Sequence, residues 1–161
     1  MDYIKFLFVA APLCYIFNDP VQLYFSMKSL YLRFWFRLHE MNSHEQGMLS
    51  LCILFQELLE YHEPQLYFHF LSINIQPIRI VFKWLMRCFS GYLPPEQLLY
   101  LWDLILGYDS LEIVSLLATA ILSFRKDNLL GVNSLQNIEA ILADLSSIQV
   151  IPLLQLIIIS K

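Results

Sequence analysis

The feature that most constrains this sequence is its punctuation. Prolines, glycines and capping side chains cut it into apolar segments of helix length, and none of the cuts has the form that joins two β-strands. Asp19-Pro20 sets a capping carboxylate before a proline at the first helical position, so a helix rich in Leu, Phe, Tyr and Trp is predicted from Val21 to about Leu38. Ser43 to Gln46 fit an S-x-x-Q capping box ahead of Met48–Leu59. In that run Leu51, Leu54, Phe55, Leu58 and Leu59 recur at the 3, 4, 7 and 8 spacing of a core-facing helix. Pro64 opens a short helix ending near Leu71, and Pro77 opens Ile78–Phe89, with Gly91 as its stop. Pro94-Pro95 begins Glu96–Leu106, which Gly107 ends. Asp109 with Glu112, and Asn133 with Gln136, are capping pairs for Leu111–Phe124 and Leu135–Leu145. Val150–Ile159 is the last segment, and its Ile157-Ile158-Ile159 triplet taken alone favours strand. With no Asn-Gly or Asp-Gly turn and no sustained alternation, the expectation is all-α: eight or nine helices, short loops, no sheet, and one helical domain over residues 1–161.

Composition exceeds what a core of this size needs. Apolar residues make up 58% and charged residues 15%, against usual shares of about 45–50% and about 25%. Such a chain either faces lipid or packs against more protein than is present here. The longest uncharged run, Leu145–Ser160, has 16 residues and is interrupted by Pro152 and four polar side chains besides its last serine. A spanning helix needs about 20 predominantly apolar residues, so no transmembrane span is predicted. The opening residues resemble a signal peptide only superficially, because Asp2 stands where positive charge belongs. The net charge of −4, with both signs interspersed, argues against a nucleic-acid partner. Cys14, Cys52 and Cys88 are odd in number and widely spaced, which suits reduced, buried thiols in a cytosolic protein rather than a disulfide framework or a zinc site.

Catalytic constellations are absent from the sequence. His39 and His44 are five apart, and His62 and His69 seven apart, neither the i,i+4 spacing of metal ligands on one helix face. There is no GxSxG elbow, no GxxxxGK[ST] loop and no GxGxxG loop. Glu57/Glu60 and Asp109/Glu112 read as solvating or capping carboxylates. No catalytic residue, metal or cofactor is therefore predicted. Arg79, Lys83 and Arg87 fall at i, i+4 and i+8 on one predicted helix, and Arg33 and Arg37 form a similar pair. Such a stripe is either a solvated face or a surface for an acidic partner or anionic lipid heads. Phe34, Trp35 and Phe36 are consecutive, so on a regular helix they cannot all face one core.

Trp102-Asp103, within Leu98 to Gly107, resembles the R-x-W-D…G segment of TBC domains, the Rab GTPase-activating domains. Phe8 to Phe17 is similar to that family's AAPLLYVF helix, and Asp19 onward to its acidic-then-aromatic helix. Ile75, Pro77, Phe82, Trp84, Phe89, Leu93 and Pro94 resemble its C-terminal lobe, and Leu111–Leu122 the helix after W-D. The resemblance runs from about Phe6 to Leu130, with Pro12, Pro77, Trp84, Pro94, Trp102, Asp103 and Gly107 as fold landmarks. It implies a buried Trp102 indole and a hydrogen-bonded Asp103 carboxylate. TBC domains supply an arginine from I-x-x-D-x-x-R and a glutamine from Y-x-Q-G to the GTPase, and an arginine finger adds about 10³–10⁵ in rate. The glutamine motif would fall around Ile4-Lys5, where there is neither Gln nor Gly, and the arginine motif beyond Met1. Tyr100 replaces the arginine of R-x-W-D. The resemblance thus implies a TBC domain truncated at its N-terminal end and inactive alone. It also implies a Rab-type GTPase as partner, a role in vesicle trafficking, and a cytoplasmic location with peripheral contact at endomembranes. The rival expectation is a non-catalytic helical adaptor that binds a protein through its aromatic and basic helix faces.

Overall fold

An apolar helix carrying several small residues can be approached closely from several sides at once, and Glu112–Phe124 (α8) is built that way. Val114, Ser115 and the run Leu117 to Leu122 are all buried, and Ala118 and Ala120 let neighbouring helices come near. Its buried hydroxyls are satisfied locally: Ser115 Oγ donates to Leu51 O at 2.9 Å, and Thr119 Oγ1 donates to Ser115 O at 3.0 Å. The computed structural model describes residues 3–40 and 44–159, with the side chains of 3–6 left out. In chain order α8 is preceded by α1 (Tyr3–Leu13), α2 (Pro20–Leu30), a π-helical turn (Tyr31–Trp35), α3 (Phe36–His39), α4 (Met48–His62), α5 (Pro64–Ser72), α6 (Pro77–Met86) and α7 (Pro95–Tyr108). It is followed by α9 (Lys126–Leu130), α10 (Leu135–Leu142) and α11 (Val150–Ile159). Among the described residues there is no strand, and α2, the π turn and α3 form one continuous rod. Counted that way the described residues form ten helices, nine of them at least seven residues long.

Around α8 pack α4, α11, α6 and α7. α4 presents Met48, Leu51, Phe55 and Leu59, all buried, on one stripe. α11 is pinned to α7 at its start, where buried Gln97 accepts from Val150 N at 2.9 Å and donates to Gln149 Oε1 at 3.2 Å. The isoleucine triplet is therefore helical, with Ile157 buried in the core and Ile158 and Ile159 exposed. Tertiary packing along α11 overrides the strand preference of the residue type.

Several boundaries differ from expectation. Asp19 caps α2 as its spacing suggests, accepting from Val21 N and Gln22 N. The Ser43 cap lies outside the described residues, and Gln46 serves a different helix: its Oε1 accepts from Leu111 N at 3.0 Å. Asp109 does not cap α8. It ends α7 in a left-handed conformation, φ 52°, while Ser110 Oγ accepts from Glu112 N. Gly107 therefore does not end α7, which runs through it to Tyr108. Ser134 rather than Asn133 caps α10, accepting from Asn137 N. α6 stops at Met86, before the predicted Phe89, because Cys88 and Phe89 take positive φ. The rod accommodates its aromatic triplet by the π turn, where Phe36 N donates to Tyr31 O five residues back. One extra residue in the turn rotates the downstream helix by about 100°, and both Phe34 and Trp35 become fully buried, with Phe36 half-buried.

Candidate functional site

The seat of α1 against the turn between α6 and α7 is held by several specific side-chain contacts. It begins with Pro12, which lies in the last turn of α1 and has no N–H to give to Phe8 O four residues back. Phe8 O is instead met by the hydroxyl of buried Ser90, which donates to it across the junction. The side chain of Phe8 is clamped as well: the Arg87 guanidinium lies 4.1 Å from its ring centroid and 5.7 Å from that of Tyr92. Ser90 reaches Phe8 because the chain turns sharply before it. Cys88 and Phe89 are left-handed at φ 47° and 61°, at a cost of roughly 1–2 kcal/mol each. Offsetting contacts are at hand. Phe89 is buried against Trp84 at 5.5 Å, and Cys88 O accepts from Trp102 Nε1 at 3.2 Å. Trp102 in turn meets Trp35 edge-on at 4.8 Å, tying the α6–α7 turn to the rod.

Gly91 completes the turn at φ 83°, and a Cβ there would stand 2.8 Å from Phe8 Cε1. Gly91→Ala is expected to destabilise by about 1–2 kcal/mol from the backbone alone, and to push Phe8 off Arg87. Gly107→Ala is expected to stabilise by about 0.5–1 kcal/mol, since that glycine is inside α7 and a Cβ there meets nothing within 4 Å. Urea midpoints at constant slope measure both, and equal signs would contradict this placement of the two glycines.

The landmark residues separate into two groups. Pro12, Pro77, Trp84 and Trp102 are buried, the first and last within the α1 seat, while Pro94 is half-buried ahead of α7. Asp103 and Gly107 are exposed, and Asp103 makes no hydrogen bond or ion pair among the described residues, contrary to the hydrogen-bonded carboxylate expected of it. The predicted cationic stripe is also broken. Arg79 and Lys83 are exposed one turn apart on α6, but Arg87 lies past the helix end and is committed to Phe8. Arg33 pairs with Asp109 at 3.1 Å, and Arg37 is half-buried beside Phe36. Ser90, Phe8 and Gln46 carry contacts that spacing did not reveal. Of the three, only the freed carbonyl of Phe8 had a signal, the proline four residues on.

Of the three cysteines Cys88 is buried, Cys52 half-buried and Cys14 exposed, so the expectation of three buried thiols holds fully only for Cys88. Burial pushes the Cys88 thiol far up, outweighing the Trp102 N–H that lowers it, and burial raises the Cys52 thiol too. Among the described residues no three His, Cys, Asp or Glu side chains are placed to hold a metal, and no helix is long and apolar enough to cross a membrane.

An all-helical bundle with a buried Trp102 indole is what the resemblance implies, though Asp103 beside it is exposed. The chain belongs to the TBC domain family: the family model for the Rab-GTPase-TBC domain matches residues 5–130. It is 53% identical over 146 residues to TBC1 domain family member 19 of Homo sapiens, covering 91% of this chain and 28% of that protein. It is 31% identical over 127 residues to the TBC domain-containing protein kinase-like protein of Dictyostelium discoideum, covering 78% of this chain and 12% of that one. The chain thus spans well under a third of either relative.

Proposed function

We propose that these 161 residues are the C-terminal portion of a Rab-GAP TBC domain, one that engages a small Rab-type GTPase but does not by itself accelerate GTP hydrolysis. The observation that carries this is the family match from residue 5, together with the absence of Gln and Gly around Ile4-Lys5 at the start of α1. Stimulated hydrolysis needs a cation against the charge developing on the transferred phosphoryl and a group that orients the attacking water. Two of the arginines are already engaged, Arg33 with Asp109 and Arg87 with Phe8. Activity of the wider domain would then rest on residues outside this sequence, and the α1 seat would set the angle at which α1 meets them. A role in vesicle trafficking, on the cytoplasmic side of endomembranes, belongs to the same proposal.

A second reading, a non-catalytic adaptor, is favoured by the exposed Val21, Tyr24, Phe25 and Leu32 on the rod. Titration of a panel of GTP-loaded Rab proteins separates the two. At least one Rab is expected to bind, and reversing Arg79 and Lys83 together to glutamate should weaken it roughly tenfold at low salt. Failure of every Rab to bind would remove the first reading and leave the adaptor.

A further inference from the structure

Between α7, the start of α8 and α11 lies an open groove of about 510 Å³. Leu104 and Tyr108 of α7, Ile113 and Leu116 of α8, and Ile151 and Ile158 of α11 line it. Tyr108 and Ile158 are 74% and 61% exposed, so this apolar surface is open to solvent. From this groove we infer a docking site for an amphipathic helix of a partner protein, one whose apolar ridge is flanked by basic residues.

Two observations choose that occupant. The first is charge. The three helices that form the groove carry Glu96, Asp103 and Glu112 and not one Lys or Arg, and Glu112 itself lines the groove. Asp109, in the turn at its end, is already paired with Arg33. An incoming helix therefore meets the Glu112 carboxylate and no cation among the groove's lining residues, which favours lysine or arginine beside its own apolar ridge. The second is backbone chemistry. All three walls are helices whose N–H and C=O groups are used internally, so an extended peptide would find no edge to pair with. A helix satisfies its own backbone and needs only side-chain contacts, inserted at i, i+3 or i+4, and i+7.

The test uses two fluorescent helical peptides of about five turns (~18 residues) that share one leucine ridge. One has lysine flanks and the other glutamate flanks. The 161-residue chain is expected to bind the lysine peptide about tenfold more tightly at low salt, with the gap closing as salt is raised. Ile158→Asn, at an exposed position, is expected to cost the lysine peptide about tenfold by removing one apolar lining side chain. Glu112→Lys is expected to weaken the lysine peptide and strengthen the glutamate one, with circular dichroism confirming that both variants keep their helix content. Equal binding of the two peptides, or no effect of Ile158→Asn, would overturn the assignment. So would a dimer in sedimentation that Ile158→Asn dissociates, because the groove would then belong to a second copy of this chain.

Discussion

Replacing Trp102 by alanine is expected to remove about 3–5 kcal/mol of stability, the range for truncating a large buried aromatic. The indole is 2% exposed, so nearly all its apolar area is lost from the core and a cavity is left between the rod and the α6–α7 turn. Three contacts go with it: the edge-on packing at Trp35, the N–H bond to Cys88 O, and the support that this bond gives to a left-handed residue. Domains of this kind are held by about 5–15 kcal/mol in all, so the variant is expected to be marginal at 25 °C. Trp102→Phe separates the contributions. It keeps most of the ring but leaves the Cys88 carbonyl without its donor, at an expected cost of about 1–3 kcal/mol. Urea denaturation followed by far-ultraviolet circular dichroism measures both. A loss below about 1 kcal/mol for alanine would mean that the indole is not the structural centre of this junction.

The effect should reach beyond stability. Cys88 and Phe89 set the turn that brings Ser90 and Arg87 to Phe8, so weakening the turn loosens the seat of α1. The start of α1 is where the family's glutamine motif would stand. Trp102 therefore stabilises the core and, through the turn, helps to fix the position of α1.

How much of the fold was legible in the sequence depends on how local each cause is. Prolines at positions 20, 64, 77 and 95 begin helices because the missing N–H and the fixed φ act within one turn. The face of α4 was readable too, since period picks out buried Leu51, Phe55 and Leu59, although Leu54 and Leu58 are only half-buried. Long-range caps were not. Gln46 meets Leu111 across 65 positions, and no local pattern marks that partner. Asp109 looked like a cap because its spacing to Glu112 is right, yet the chain uses it as a left-handed stop that Arg33 then pairs with. The π turn was hidden for a related reason. Phe34-Trp35-Phe36 posed the steric problem, but only the packing on Trp102 shows that an extra residue in the helix resolves it. Of the candidate site, the landmarks Pro12 and Trp102 were readable, while Ser90 and Arg87 acquire their roles only where α1 meets the turn.

On the proposed reading, a TBC-type fold is here separated from the side chains that would do chemistry on a GTPase. Single-turnover phosphate release tests that separation most directly, with the 161-residue chain in excess over each member of a panel of GTP-loaded Rab proteins. No Rab in the panel is expected to hydrolyse GTP faster than it does alone, because a chain that supplies no arginine finger, as proposed, forgoes about 10³–10⁵ in rate. Acceleration of any one of them by about a hundredfold or more, abolished by an Arg or Gln substitution within this chain, would contradict it.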